Sequence, residues 1–137
     1  MTVKLSDIIE AIESVNESSQ YFLDQETGEI VWVSEMVMSP SEQEEIYDAL
    51  DEHGFYRLPT QRDIHEYGIM EEFVDSLSNP AHDRLSTAIS GRGAFRRFKD
   101  EAHHLGLEQN WYSWRDKAYR NIAVAWCEEN DINYTEE

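Results

Sequence analysis

Over the first sixty positions, the spacing of hydrophobic residues changes from that typical of an α-helix to that typical of β-strands. The apolar residues of the first segment recur at helical spacing, which predicts an amphipathic helix with Ser6 as its N-cap. Residues 21–33 are rich in aromatic and β-branched side chains and are interrupted by a polar turn at Gly28. This pattern predicts a β-hairpin, and residues 55–59 add a third strand.

Helix signals dominate the rest of the chain. Ser39 followed by Glu42 three positions later is a capping box, and Gly54 is a stop signal, so a helix is predicted between them. Further helices are predicted at about residues 61–77, 80–90, 94–106 and 108–130. The expected fold class is α+β, with a small antiparallel sheet of about three strands packed against several α-helices and a helical C-terminal half.

The chain has 137 residues, which is the length of one domain, so a single globular domain is expected over residues 1–137. Aromatic residues make up 12% of it, and they are expected to supply most of the core. The predicted aromatic core consists of Phe22, Trp32, Phe73, Phe95, Phe98, Trp111, Trp114 and Trp126.

The formal net charge is -18, yet seven of the eleven Lys and Arg residues fall between positions 92 and 120. Such an acidic protein repels nucleic acid unless its few cations are gathered on one face. The segment from Ile89 to Gly106 gathers four of them, and two interpretations of it stay open.

The first interpretation is a solvated helix face with internal ion pairs. Arg96 has Asp100 four positions later and Arg97 has Glu101, a spacing that brings side chains together on a helix.

The second interpretation is an anion-binding site. Lys99 has no acid three or four positions away, Arg96 and His103 adjoin it on the helix, and Arg92 lies between two glycines at the predicted helix start. Backbone N–H groups at a helix N-terminus favour anions, so a phosphate or carboxylate site is predicted here.

Arg115 falls among the apolar residues of the last helix on a helical wheel, so it is predicted to point into the core. A guanidinium that is buried keeps its charge and needs a carboxylate partner or an aromatic ring. Glu66 is the preferred partner, with Asp24 and Glu71 as alternatives. The pair either locks two helices together, or Arg115 forms the floor of an aromatic pocket that receives an acidic ligand.

No pattern in the sequence supports catalysis or a metal. The five histidines lack the spacing of a zinc site, and no nucleophile elbow, P-loop or dinucleotide fingerprint is present. We therefore predict no catalytic residue, no metal and no cofactor, and leave enzymatic activity uncertain. The single cysteine, Cys127, excludes an internal disulfide and is expected to be a passive thiol in a reducing cytoplasm.

Several stretches resemble a family of small bacterial proteins catalogued as uncharacterised. They are FLDQETGEIV from Phe22, EYGIMEEF from Glu66, GRGAFRRFKD from Gly91 and WYSWRDKAY from Trp111, which contains a WYxxR motif. Gly68 departs from the family pattern, where a larger and often basic residue is expected. The resemblance implies one intact domain and no assigned chemistry.

The function predicted from the sequence is a non-enzymatic binding module for an anionic ligand: a nucleotide, an RNA backbone or an acidic peptide. Its predicted ligand-binding residues are Arg92, Arg96, Lys99, His103 and Arg115. The alternative is a protein-interaction or inhibitor module whose acidic N-terminal half binds a basic protein. No membrane association is expected, because the N-terminus lacks the apolar run of a secretory signal and the longest apolar stretch is too short to span a bilayer.

Overall fold

The computed structural model describes residues 1–136, and the chain divides into two compact units. Unit 1 comprises Met1–Ile64 and the chain from Tyr119 onward, and unit 2 comprises His65–Ala118. The expectation of a single globular domain over residues 1–137 stays a prediction. Within the described residues no helix is long and apolar enough to cross a bilayer.

Unit 1 contains the strands of the α+β fold: β1 (Thr2–Lys4), β2 (Ser19–Asp24), β3 (Ile30–Ser34), β4 (Phe55–Arg57) and β5 (Asn133–Thr135). Strands β3, β2 and β4 form an antiparallel sheet in that order. This confirms the predicted hairpin and third strand. Strands β1 and β5 form a separate parallel pair that was not predicted, because three-residue strands are too short to show a period.

The helices also follow the predicted order. They are α1 (Leu5–Ser14), α2 (Pro40–His53), α3 (Gln61–Ile64), α4 (Glu66–Asp75), α5 (Ala81–Ala88), α6 (Ala94–His104) and α7 (Glu108–Glu129). Helices α4, α5 and α6 belong to unit 2, and α7 contributes its first half to unit 2 and its second half to unit 1.

The cap of α2 is confirmed in full. The Ser39 hydroxyl accepts a hydrogen bond from the Glu42 amide, and the Glu42 carboxylate accepts one from the Ser39 amide. Gly54 ends the helix at a φ of 83°, which a residue with a Cβ rarely adopts. The prediction of Ser6 as a cap was wrong, because α1 begins at Leu5, directly after strand β1.

The prediction of one long helix over residues 61–77 was also wrong, because the chain breaks at His65 into α3 and α4. His65 has a φ of 51°, in the left-handed region that cannot continue a right-handed helix. Its ring folds over Gly68, where an added Cβ would lie 2.8 Å from His65 Nδ1. Gly68 therefore leaves the space that the His65 ring occupies at the start of α4.

The core of unit 1 forms where the sheet meets α2, around Phe22, Val33 and Leu50. Trp126 is buried in the same unit and its indole N–H donates to the Arg57 carbonyl at 2.9 Å. Trp32 was predicted to be in the core but is 37% exposed, because neighbouring Val33 takes the inward position on β3.

The core of unit 2 is built from Phe73 on α4, Phe98 on α6 and Trp111 on α7, and all three are buried. Trp114 is half-buried and contacts Phe73. Phe95 was predicted to be in the core but is 45% exposed, since Ala94, Phe98 and Ala102 form the buried face of α6.

One histidine of unit 1 is held by two carboxylates. His53 Nδ1 lies 2.8 Å from Asp24 Oδ2, and His53 Nε2 lies 3.3 Å from Glu26 Oε2. The hydrogen bond that His53 donates to Asp24 raises the pKa of His53, and nearby Glu26 and Glu52 add to the effect. The same bond lowers the pKa of Asp24 from its ordinary value of 3.8.

This pair predicts that part of the stability of unit 1 depends on pH. Because the folded pKa of His53 is raised above its ordinary value of 6.5, its contribution is complete below that pH and is lost as the pH rises through the folded pKa. Asp24 acts in the opposite direction, since its contribution is lost as the pH falls through its lowered pKa. We expect the fall in unfolding free energy between about pH 6 and pH 8 to be smaller in His53→Asn than in the wild type.

Urea unfolding followed by circular dichroism at the two pH values measures this difference. His104→Asn is the matched control, because His104 is exposed and makes no contact with a carboxylate in the described residues. An unchanged pH dependence in His53→Asn would contradict the role of this pair.

Candidate anion-binding site

The turn before α6 is fixed by one arginine. Gly91 and Gly93 have φ angles of 80° and 73°, so the chain between α5 and α6 passes twice through the left-handed region. Arg97 reaches back across this turn and donates to three backbone carbonyls: Nε to Ala88 at 3.0 Å, and its two terminal nitrogens to Ser90 and Arg92. The planar guanidinium therefore satisfies the last carbonyl of α5 and two carbonyls of the turn that follows it.

This arrangement overturns the predicted pair of Arg97 with Glu101. Glu101 Oε1 instead lies 3.1 Å from Arg84 Nε on α5. The predicted pair of Arg96 with Asp100 is also absent from the described residues. Helical spacing did not decide the pairing, because Arg97 donates to carbonyls of the turn and Glu101 lies against Arg84.

Arg92, Arg96 and Lys99 are exposed, and their charged groups have no ion pair in the part of the chain that the structure describes. Arg92 lies in the glycine turn, and the other two lie one turn apart on α6. The N-terminus of α6 begins at Gly93 with no side-chain cap. Arg92 and Arg96 therefore lie within one turn of a helix start that carries a partial positive charge, and Lys99 follows one turn later.

His103 does not belong to this group of unpaired cations. Its Nδ1 lies 2.7 Å from Glu108 Oε2, and the hydrogen bond lowers the pKa of the Glu108 carboxyl. A search at helical spacing missed this contact, because Glu108 lies five positions away, beyond the turn at Gly106. The glycine before α7 was the available signal that the chain reverses there. The prediction that His103 binds a ligand stays a prediction.

Arg115 lies in unit 2 with Glu66, the partner preferred on the helical wheel. Arg115 Nε donates to Glu66 Oε1 at 2.6 Å, and the side chains are 23% and 33% exposed. The contact joins α7 to the first residue of α4. Of the alternative partners, Asp24 is bound to His53 in unit 1.

The ion pair lies in a pocket of about 190 Å³. Its other lining residues are Met70, Phe95, Phe98, Lys99, Trp111 and Tyr112. Buried Met70, Phe98 and Trp111 supply apolar walls, whereas Phe95 and Tyr112 are 45% and 42% exposed. The pocket thus combines an apolar interior, two exposed aromatic rings and the charges of three side chains.

The pocket unites two features that the sequence presented separately. Lys99 was assigned to the basic segment and Arg115 to the last helix, and the structure brings both to the same pocket. Tyr112 was missed as a lining residue. The signal for it was its position three residues before Arg115, on the same face of α7.

The remaining chemically active side chains are engaged elsewhere. Cys127 is fully buried, and burial raises the pKa of its thiol. His82 lies 3.2 Å from Asp83 in an exposed pair. Among residues 1–136, no group of three His, Cys, Asp or Glu side chains is placed to hold a metal ion.

Comparison with known proteins identifies the family. The model of an uncharacterised protein family, UPF0158, matches residues 1–137. The chain belongs to the UPF0158 family. A UPF0158 protein of Pseudomonas aeruginosa is 26% identical, in an alignment covering 96% of this chain and 85% of the relative. No solved structure matches the chain.

Membership of UPF0158 confirms the resemblance inferred from the four sequence stretches. The match extends over both units, so the basic turn, α6 and the Arg115 pocket all lie within the matched residues. The description of UPF0158 assigns no activity, and the function of the site must be argued from its own chemistry.

The contrast between Arg97 and Arg96 gives a direct prediction. Arg97→Met removes three hydrogen bonds to carbonyls, so we expect the unfolding free energy to fall by about 2 kcal/mol. Arg96→Met removes an exposed charge of the same size without any described partner and should change it by less than about 0.5 kcal/mol. Urea unfolding of the two variants measures the difference.

Arg97→Lys sharpens the comparison, because lysine keeps the charge but lacks the planar fork that reaches several carbonyls. We expect it to be nearly as unstable as Arg97→Met. Equal stability of the Arg97 and Arg96 variants would contradict the assignment of Arg97 to the turn.

Proposed function

We propose that this UPF0158 protein is a non-enzymatic binding module for an anionic ligand, which binds at the turn before α6 and along α6 itself. The observation that carries the proposal is the group formed by Arg92, Arg96 and Lys99, which are exposed and have no ion pair within residues 1–136. The candidate ligands are a nucleotide, an RNA backbone or an acidic peptide. Each presents phosphate or carboxylate oxygens that arginine and lysine recognise.

The distribution of charge supports this location. Unit 2 carries seven Lys and Arg residues against nine Asp and Glu, whereas unit 1 carries four against twenty. An anion that approaches from solution is repelled by a net charge of -18. At physiological ionic strength, however, charges act over only about 8 Å, so the local group of cations decides binding at α6.

The backbone adds a second attraction. The first amides of α6 have no intrahelical acceptor and no side-chain cap, and a helix N-terminus favours negative charge. Arg97 holds this turn in place through the carbonyls, which leaves its N–H groups engaged and the other three cations available. A preformed arrangement of this kind reduces the entropy lost on binding.

We propose no catalytic step, cofactor or metal for this site, because its arginine and lysine side chains serve to bind and neutralise negative charge. Buried Cys127 fits a reducing cytoplasm, where we place the protein.

Helix α2 supports a second candidate, an interaction module for a basic protein. Its only buried residue is Leu50. The exposed carboxylates along it are Glu42, Glu44, Glu45, Asp48, Asp51 and Glu52, and Tyr47 is exposed among them. A basic partner would find both negative charge and an aromatic contact on this helix.

Charge reversal distinguishes the two candidates. We expect a thermal-shift panel of nucleotides, short RNA and DNA, sulfate and dicarboxylates to stabilise the wild type by several degrees near saturation. The Arg96→Glu, Lys99→Glu double variant should lose that shift, because reversal replaces attraction with repulsion. The matched control is Arg62→Glu, Lys117→Glu, which makes the same change in net charge at two exposed cations that do not belong to the proposed binding group.

If the control variant also loses the thermal shift, the loss is caused by the change in net charge and not by the site, which would contradict the proposal. If no anion stabilises the wild type and a basic peptide does, the acidic surface of α2 becomes the functional one.

A further inference from the structure

We propose that the Arg115 pocket binds a small aromatic carboxylate, with its ring between the apolar walls and its carboxylate at Lys99. The inference rests on the proposed anion-binding function and adds a second ligand class, a planar monoanion of about one ring. Its ring lies in the pocket next to the basic surface, and Lys99 belongs to both.

The volume of the pocket sets the size of the ligand. A cavity of about 150 Å³ accommodates benzene in a protein interior. The Arg115 pocket measures about 190 Å³. It therefore has room for one six-membered ring and a small substituent, whereas a whole nucleotide or a folded peptide exceeds it.

The lining side chains favour an aromatic ring. Met70, Phe98 and Trp111 are 1%, 1% and 3% exposed and form rigid walls, because Phe98 and Trp111 are packed edge to face at 4.9 Å. Phe95 and Tyr112 also line the pocket and are the two large apolar side chains of unit 2 that remain substantially exposed. A ligand ring would cover part of both and gain aromatic contacts of the kind that stabilise offset or edge-to-face pairs.

The charges in the pocket favour a single negative charge on the ligand. Lys99 and Arg115 are positive and Glu66 is negative, so the pocket has one positive charge in excess. Glu66 is bound to Arg115 at 2.6 Å, whereas Lys99 has no ion pair in the described residues. A monocarboxylate balances the excess at Lys99, but a dianion adds a negative charge beside Glu66 and a neutral ligand leaves Lys99 uncompensated.

Isothermal titration of the full chain with benzoate tests the proposal, with three comparison ligands. Benzamide has nearly the same shape without the charge, acetate has the carboxylate without the ring, and phenyl phosphate has the ring with a higher charge. We expect benzoate to bind at least about tenfold more tightly than each of them, as expected for a charge-assisted contact combined with ring burial.

Two variants locate the binding. Lys99→Met keeps the apolar stem and removes the charge, and we expect it to weaken benzoate at least about tenfold. Lys117→Met is the matched control, because Lys117 is an exposed cation of the same unit and does not line the pocket; it should change affinity less than about twofold. Arg96→Met, at a residue of the open basic surface, measures the contribution of that surface. Phe95→Ala, at an exposed position, should weaken benzoate without unfolding the protein, and thermal unfolding checks that it is folded.

Each other outcome overturns the pocket assignment in a distinguishable way. If benzamide binds as tightly as benzoate, the carboxylate does not contribute to recognition. Equal loss in Arg96→Met and Lys99→Met indicates recognition by the open basic surface, which leaves the proposed function standing. If benzoate fails while a nucleotide, RNA or sulfate still stabilises the wild type, only the pocket is excluded; if all of them fail, the proposed function is contradicted as well.

Discussion

Three aromatic rings determine the geometry of unit 2 and hence of the candidate site. Phe73, Phe98 and Trp111 come from α4, α6 and α7, and each ring contacts the other two at centroid distances of 4.9 to 6.1 Å. Lys99 directly follows Phe98, and Arg115 lies one helical turn after Trp111. Packing of the rings therefore brings a lysine and an arginine from distant parts of the sequence to one pocket.

The same packing explains why Arg115 is tolerated in a partly buried position. A buried guanidinium without a partner is costly, and Glu66 at the start of α4 provides the carboxylate. Glu66 is two helical turns before Phe73, so the contact that buries the ring also places the acid. The pocket keeps one positive charge in excess because Lys99 lies on the third helix, where no described carboxylate pairs with it.

The sequence predicted the elements of this protein well and their side-chain partners only in part. The capping box at Ser39 follows from local spacing. The preferred pair of Arg115 with Glu66 follows from the requirement that a buried guanidinium have a carboxylate partner. Both can be read from a sequence. The predicted pair of Arg97 with Glu101 failed because the competing acceptors are carbonyls of a turn. His65 broke a predicted helix because its left-handed backbone is set by its surroundings and leaves no mark in the hydrophobic period.

The most direct test of the account is an NMR titration of the isotopically labelled protein with benzoate, in which the amide shifts are mapped onto the sequence. The account predicts that the largest shifts lie in residues 94–99 and 111–115, around the two cations of the pocket. Large shifts concentrated in residues 40–53, or scattered evenly over both units, would contradict it.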